Sequence, residues 1–314
     1  MNLSDLKYKG LLGYGIYLFI YKFYRWIKYD RYGDEKFLKK RFEQLQGYPL
    51  NLDSPKTLNE KINWLKLNFS HPDEHILADK FAVRDYIAKV LGEKYLIPLV
   101  FSTTNHKEIN PTNIPDFPVI VKANHDSGSY KIIRNKSKID WKRLQTDCKF
   151  WLSRNYYWIE REPQYKKIKP RIIVEKLLIS NDGKIPFDYK LHCINGIVEF
   201  IYVSVDREGA NKRNIYSRNW EPLLFTWANK SKDFTKLRGP EIPKPDSMDE
   251  MIKLAEVLAK GFPYVRIDFY DVDGNIFFGE ITQHHGGGFD QIRPIEWDYK
   301  FGKILNLPLS KEFV

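Results

Sequence analysis

The chain alternates between two hydrophobic rhythms, and its first third follows the helical one. Residues 34–47 (DEKFLKKRFEQLQG) set Phe37, Phe42 and Leu45 at helical spacing, and Gly47 supplies a stop. Thr57 stands three residues before Glu60. That spacing lets each side chain satisfy the other's free N–H, so a second helix runs through Leu67. A third spans about 74–91 and ends before Gly92. From residue 95 the rhythm shortens. Runs rich in β-branched and aromatic residues at 95–101, 118–123, 130–134, 171–179, 187–194 and 197–205 predict strands. The second pairs with the third, and Asn195-Gly196 is a two-residue hairpin turn. Helices over about 140–153 and 247–260 interrupt the strands. Hairpins with interspersed helices argue for an α+β fold over a doubly wound parallel sheet. The chain has no internal repeat and no low-complexity run.

The last hairpin is the densest in chemistry. Residues 264–270 (YVRIDFY) and 276–282 (IFFGEIT) flank the turn signal Asp273-Gly274. Side chains alternate along a strand, so Arg266 and Asp268 share one face and Ile267 takes the other. Glu280 and Thr282 share a face on the return strand. An arginine, two carboxylates and a hydroxyl on one surface suit Mg²⁺, which takes one or two carboxylates and leaves positions for substrate phosphate. A solvated hairpin with an Arg–Asp pair would show the same residues. The next seven residues favour a site: in Gln283-His284-His285-Gly286-Gly287-Gly288-Phe289, three consecutive glycines let backbone approach a ligand closely. The adjacent histidines point oppositely on an extended chain, which argues against a zinc pair.

Composition widens the picture in one direction. Of 314 residues 43% are apolar, enough for a real core, and 20 Tyr, 20 Phe and 8 Trp make the chain unusually aromatic. The formal charge of +11 fits a polyanionic partner such as nucleic acid, an anionic membrane surface or an acidic glycan, and equally a solubility surplus. Two cysteines, Cys148 and Cys193, make neither a disulfide framework nor a zinc pattern, and a reducing compartment is the default. Residues 11–21 (LLGYGIYLFIY) are apolar and aromatic, followed by Lys22, Arg25 and Lys28. The segment is shorter than the ~20 residues a membrane crossing takes. It reads equally as an interfacial helix with basic flanks and as a helix docked on the protein's own core.

Three further stretches carry candidate chemistry. In 118–130 (PVIVKANHDSGSY), Lys122 ends an apolar run and must reach water or an anion. The Ser127-Gly128-Ser129 loop beyond it offers N–H groups and hydroxyls to phosphate oxygens, although it is neither a Walker A sequence nor the G-x-G-x-x-G dinucleotide fingerprint. The strand at 171–178 ends in Glu175-Lys176 and could read an adenine edge with its backbone. In the strand at 187–193, Asp188, Lys190 and His192 share a face that could meet ribose and phosphates, or simply solvent.

Taken in order, these segments resemble the ATP-grasp superfamily, and within it the teichuronopeptide-biosynthesis (TupA-like) branch, over about residues 34–305. The resemblance rests on LNLDSPKTLNEKINW at 50–64, DKFAVR at 79–84, Lys122 with its His-Asp-Ser-Gly loop, IVEK at 173–176, DYKLHC at 188–193, and VRID at 265–268 through FGEIT at 278–282. It implies ATP held between two α+β subdomains: 106–179 as the small (lid) part and 180–314 as the catalytic part. Before them stand an aromatic, basic segment at 1–33 and a helical region at 34–105. Carried over by motif, Lys122 with Ser127, Gly128 and Ser129 would bind the phosphates. Glu175, Lys176 and Leu178 would form the adenine hinge, and Asp188 and Lys190 would meet ribose and phosphate. Asp268 and Glu280, with Thr282, would hold Mg²⁺, for which Mn²⁺ could substitute. Arg266, with Lys190, Asp268 and Glu280, would form the catalytic set. The His284, His285, Gly286, Gly287 and Gly288 stretch would meet the acceptor. Many ATP-grasp enzymes have Glu-x-Asn at the metal strand. Thr282 in the third place is a weaker neutral donor, which bears on a second metal site and not on the first.

The resemblance implies a ligase that activates a carboxylate as its acylphosphate and captures it with an amine. Its branch points to a uronic acid of a surface polysaccharide as acceptor and an amino acid or amine as donor, with no nucleic acid. The expected location is the cytoplasm, peripherally at the inner membrane face. Three alternatives use some of the same residues. A sugar kinase would need the same ATP and metal elements. A glycosyltransferase would have to use Asp271-Val272-Asp273, which sits at a turn where aspartate has a local role. A non-catalytic glycan- or membrane-binding module would have no use for the constellation of Lys122, Arg266, Asp268 and Glu280.

Overall fold

Among the described residues every pairing between the named strands is antiparallel, as the hairpin-rich sequence leads one to expect. The computed structural model describes residues 3–205, 212–228 and 237–308. Its chain falls into two units. The first is built from Met1–Phe37, Asp79–Phe81 and Pro98–Leu177, the second from Leu38–Ala78, Ala82–Ile97 and Leu178–Val314. The fold is α+β.

The first unit holds four strands, β1 (Leu99–Thr103), β2 (Val119–Ala123), β3 (Tyr130–Ile133) and β4 (Ile172–Lys176), in the order β1-β4-β2-β3. Val119, Val121, Ile133, Ile172 and Val174 pack on Leu144 and Cys148 of the helix Trp141–Leu152. Asp140 starts that helix by accepting from the Arg143 N–H at 3.0 Å. The same unit carries the helix Gly10–Arg25, whose Tyr17 and Tyr21 meet Phe150 edge-on at 5.4 and 5.2 Å.

The second unit holds β5 (Asp188–Ile194), β6 (Ile197–Val205), β7 (Lys212–Ser217), β8 (Thr226–Ala228), β9 (Tyr264–Val272), β10 (Asn275–Thr282) and β11 (Gln291–Arg293). Five of them form one sheet in the order β10-β9-β5-β6-β7, and β8 pairs with β11. One sheet face lays Leu191, Ile201, Val203, Val265, Ile267 and Phe269 against Met251 and Ala255 of the helix Met248–Leu258. The opposite face is divided. At one end Ile194, Phe200, Tyr202 and Tyr264 pack on Leu58, Ile62 and Leu65 of the helix Leu58–Asn68. The other end of the same face is charged and carries Lys190 beside Asp268. The capping box at Thr57 forms as expected: the Glu60 N–H donates to Thr57 Oγ1 at 3.1 Å and the Thr57 N–H to Glu60 Oε2 at 2.9 Å. Such a cap is worth about 1 kcal/mol. Both expected turns put their residues at positive φ, Asn195-Gly196 at 52° and 82°, Asp273-Gly274 at 53° and 86°.

Several boundaries differ from the sequence pattern. The single helix expected over 74–91 is two, Glu74–Ala78 and Val83–Val90. Asp79 divides them: its Oδ1 accepts from the Phe81 N–H at 2.8 Å and from Asn124 Nδ2 at 2.8 Å, competing with helical backbone bonds. The strand expected at 95–101 begins only at Leu99, after a 3₁₀ turn at Glu93–Tyr95 and after Pro98, which has no N–H to donate. The strand expected at 171–179 stops pairing at Lys176. The short strands β7, β8 and β11 and the helix Glu296–Ile304 carried no clear periodic signal.

Candidate active site

The charged end of the five-stranded sheet is set by register. Lys190 on β5 stands opposite Asp268 on β9, which stands opposite Glu280 on β10. One step along, His192 stands opposite Arg266, which stands opposite Thr282. The β9–β10 ladder slips between Phe278 and Glu280. The residue there is Gly279, where a Cβ would lie 3.1 Å from the Asp268 carbonyl oxygen, a tight contact that a side chain could make only if its neighbours gave way slightly.

The side chains make one network. Arg266 forks onto Asp268, Nε to Oδ1 at 2.6 Å and Nη2 to Oδ2 at 2.7 Å, and reaches Glu280 Oε1 at 2.5 Å. Lys190 donates to Asp268 Oδ2 at 2.7 Å and also to Asp188. Thr282 donates to Glu280 Oε1 at 3.0 Å. Three carboxylates thus share two cations. Burial pushes the Asp268 carboxyl up, Arg266 and Lys190 pull it back, and Asp188 and Glu280 push it further up. Burial works against the Arg266 charge, but Asp268 and Glu280 outweigh it and hold the guanidinium protonated.

Behind Arg266 lies a residue whose role sequence reasoning did not foresee. Arg266 Nη1 donates to His285 Nδ1 at 2.5 Å. A guanidinium can only donate, so Nδ1 is the bare nitrogen and Nε2 bears the proton. Burial, and then Arg266, keep the imidazole pKa well below its usual value. Its ring lies edge-on to Trp227 at 4.3 Å and to His192 at 4.9 Å. His192, expected on the open face with Asp188 and Lys190, shares their face but is buried, stacked on Phe200 at 4.3 Å and bonded to the Tyr264 hydroxyl at 2.9 Å. The glycine run makes its close approach to protein: Asn63 donates to the Gly288 carbonyl at 2.8 Å, and Lys66 donates to that of Gly287. Gly286, Gly287 and Gly288 all have positive φ. His284 is buried in the same turn.

The first unit presents the remaining candidates. Lys122 lies in register with Tyr130 on β3 and Ile173 on β4, and its Nζ meets Glu175 Oε2 at 2.6 Å. The loop after β2 is held from within. Asn124 accepts from the Arg171 N–H at 2.7 Å and donates to Asp79 and to the Lys169 carbonyl. Lys80 donates to the Asp126 carbonyl at 2.7 Å. Ser129 donates to Asp126 Oδ2 at 2.7 Å, and Arg154 binds both. Ser129 is therefore committed inward, whereas Ser127 and Gly128, with Gly128 at φ +83°, form the exposed tip. Arg154, just beyond the helix Trp141–Leu152, lies 25 residues from Ser129 in sequence, and no local signal marked it. On β4 the Lys176 N–H is taken by the Pro98 carbonyl at 3.0 Å and the Leu177 N–H by that of Pro118 at 3.0 Å. Lys176 is exposed, and Leu178 is half-buried.

No cluster of three or more His, Cys, Asp or Glu side chains among the described residues is arranged to hold a metal ion. The set foreseen for Mg²⁺ is smaller, Asp268 and Glu280 with the Thr282 hydroxyl. These are hard oxygen donors, and Mg²⁺ or Mn²⁺ takes its other positions from water and phosphate. Asp268 and Glu280 converge on one shared guanidinium, so a divalent ion could bind between them. The residues fit the ion.

A family model described as TupA-like ATPgrasp matches residues 60–306. No curated protein matches. Among solved structures the chain is similar to a D-alanine–D-alanine ligase from Helicobacter pylori, at 15% identity over 74% of this chain and 62% of that one, with a TM-score of 0.40. It is also similar to the D-alanine–D-alanine ligase of Bacillus anthracis, at 15% identity over 66% of this chain and 57% of that one, TM-score 0.37. A third match is a RiPP-associated ATP-grasp ligase of Chryseobacterium gregarium, at 13% identity over 74% and 65%, TM-score 0.35. Each match thus spans less than two-thirds of the solved chain.

Proposed function

The chain belongs to the TupA-like ATP-grasp family, and from that premise we propose that it is an ATP-dependent carboxylate–amine ligase that joins an amino acid or other amine to a uronic acid of a surface polysaccharide. The observation that carries the reading is the Arg266–Asp268–Glu280–Lys190 network, a cation-and-carboxylate array on a rigid sheet. A carboxylate is a poor acyl donor because its leaving group would be oxide. Its oxygen attacks the ATP γ-phosphorus, the bond to the bridging oxygen breaks, and ADP departs. The amine then attacks the acyl carbon of the acylphosphate, phosphate leaves, and the nitrogen's proton goes with it. The products are an amide, ADP and phosphate.

In this reading Lys122 and the Ser127–Gly128 tip hold phosphate oxygens, with Ser129 bracing the loop. Glu175, Lys176 and Leu178 meet the adenine, and Asp188 and Lys190 meet ribose and phosphate. Asp268, Glu280 and Thr282 hold Mg²⁺, which when bound neutralises phosphate charge. Arg266 faces the negative charge that develops on the acyl oxygen, where fixed donors have most effect. His285 keeps the guanidinium in place, and the turn from His284 through Gly288, anchored on the helix Leu58–Asn68, frames the acceptor.

The helix Gly10–Arg25 supports a location at the inner membrane face. Its tyrosines dock on Phe150, yet Leu12, Ile16, Phe19 and Phe23 point outward in one stripe, with Leu12 79% and Phe19 72% exposed. No acidic residue lies between Asp5 and Asp30, and Lys9, Lys22, Arg25 and Lys28 do. That combination suits an anionic lipid surface. No helix among the described residues is long and apolar enough to cross a membrane.

The test has two stages. Saturating ATP with Mg²⁺ should raise the melting temperature, since a ligand at a hundredfold excess over its dissociation constant adds about 2.7 kcal/mol. ADP release is then measured across uronic-acid oligosaccharides crossed with amines, and products are weighed by mass spectrometry. An amide that needs the amine supports the ligase. A phosphate ester formed without amine makes the protein a kinase, and no nucleotide-dependent stabilisation removes the reading altogether.

A further inference from the structure

We infer that the β7 edge of the five-stranded sheet carries a recognition pocket for an acidic sugar, built around Arg213, Arg238 and Arg293. A cavity of about 540 Å³ opens there, lined among the described residues by these three arginines with Leu224, Phe225 and Thr226. The volume lies in the range that takes a small organic ligand.

Two of the arginines are not neutralised by a carboxylate among the described residues. Arg238 donates to the exposed carboxylate of Glu241 at 3.0 Å. Arg213 reaches a carbonyl, that of Trp227, at 3.4 Å. Among the described residues no carboxylate pairs with Arg213 or Arg293, and both are half-buried. The Thr226 hydroxyl on the same wall is buried with no hydrogen-bond partner among the described residues. Guanidinium groups stay charged and present a planar fork that matches a carboxylate. Half-burying two, Arg213 and Arg293, around one cavity without counter-charge is unfavourable unless an anion completes them. An unsatisfied buried hydroxyl is unfavourable for the same reason. The rest of the lining is apolar, with Leu224 69% exposed at the rim. An anionic group on a body with an apolar ring face fits this wall better than a bare anion does, and a uronic acid has that form.

The pocket's place on the sheet gives it a role. Arg213 on β7 stands opposite Ser204 on β6, which stands opposite Asp188 on β5. Directly opposed residues point to the same face, so Arg213 shares a sheet face with Asp188 and the Lys190–Asp268 network. Neighbouring strands lie ~4.8 Å apart, which sets the two roughly 10 Å from each other. A short acidic oligosaccharide could rest one unit against the arginines while the carboxylate of another lies toward Arg266. That role rests on the ligase reading, whereas the binding itself does not.

The test is calorimetry of the full chain with oligogalacturonate, at low salt and without nucleotide. Binding is expected, weaker by ~10-fold or more in Arg293→Gln and in Arg213→Gln, because each removes a charge-assisted contact. Lys303→Gln, an exposed lysine of the same unit, should bind as wild type. Neutral maltotetraose and methyl-esterified oligogalacturonate should not bind, and this arm needs no variant to fold. Equal affinity for acidic and esterified sugar, or undiminished binding by Arg293→Gln, overturns the proposal. So does arginine-dependent binding of inorganic phosphate or pyrophosphate with no binding of oligogalacturonate. Melting with ATP and Mg²⁺, run alongside, reports on the ligase reading separately: its failure would leave sugar binding standing, and the reverse.

Discussion

Arg266 holds Asp268, Glu280 and His285 at once, so its loss should be felt in two ways. As a fixed positive charge facing a developing oxyanion it should contribute on the order of 10²–10³ in turnover. As the shared partner of buried carboxylates it should also contribute to stability, since stripping one member from a buried ion pair costs about 3–5 kcal/mol. Arg266→Ala is therefore expected to form little amide and to melt early in metal-free buffer. Mg²⁺ should recover much of the lost melting temperature, because it would take over the carboxylates. Melting scans with and without Mg²⁺, beside amide yield, check both parts. Asp268→Asn should lose turnover and the metal dependence together, and full Mg²⁺-dependent activity in that variant would remove Asp268 from the metal site. Lys122→Ala should shrink the ATP-dependent melting shift while leaving Glu175 without its 2.6 Å partner.

At the scale of the element, the N-terminal helix packs one face on its own unit and leaves an apolar stripe exposed on the other. Tyr14, Tyr17 and Tyr21 face inward, and Lys7 and Tyr8 just before the helix both bond Asp147 at 2.7 Å. The larger and more apolar side chains face out. Deleting residues 1–33 would strip the first unit of packing as well as of this surface, since Arg161 also bonds the Tyr29 and Tyr32 carbonyls. Substitution separates the two roles. Phe19→Ser with Phe23→Ser should abolish sedimentation with phosphatidylserine vesicles and leave the melting temperature nearly unchanged, because both rings are more than half exposed. Loss of folding in that pair, or undiminished sedimentation, would show that the stripe does not dock on lipid.

The whole molecule was legible in the sequence where local chemistry decides. The two hairpins follow from Asn195-Gly196 and Asp273-Gly274, whose residues accept positive φ, and the Thr57 cap follows from one spacing. Alternation alone placed Arg266, Asp268, Glu280 and Thr282 on one surface, because a strand leaves no other choice. What could not be read depends on contacts far apart in the chain. The break at Asp79 comes from Asn124, and the bracing of the Ser129 loop from Arg154. His285 is marked as a partner of Arg266 only once β9 and β10 are paired, and the arginine pocket only once β7, β8 and β11 are.

The chain passes from one unit to the other at Phe37–Leu38, Ala78–Asp79, Phe81–Ala82, Ile97–Pro98 and Leu177–Leu178. No single cut in the gene therefore frees either unit: a break after Leu177 leaves the later half without Leu38–Ala78, and a break after Phe37 leaves the earlier unit without its sheet. Recombination with relatives would have to exchange nearly the whole chain, so the two units are inherited together and cannot be shuffled as cassettes.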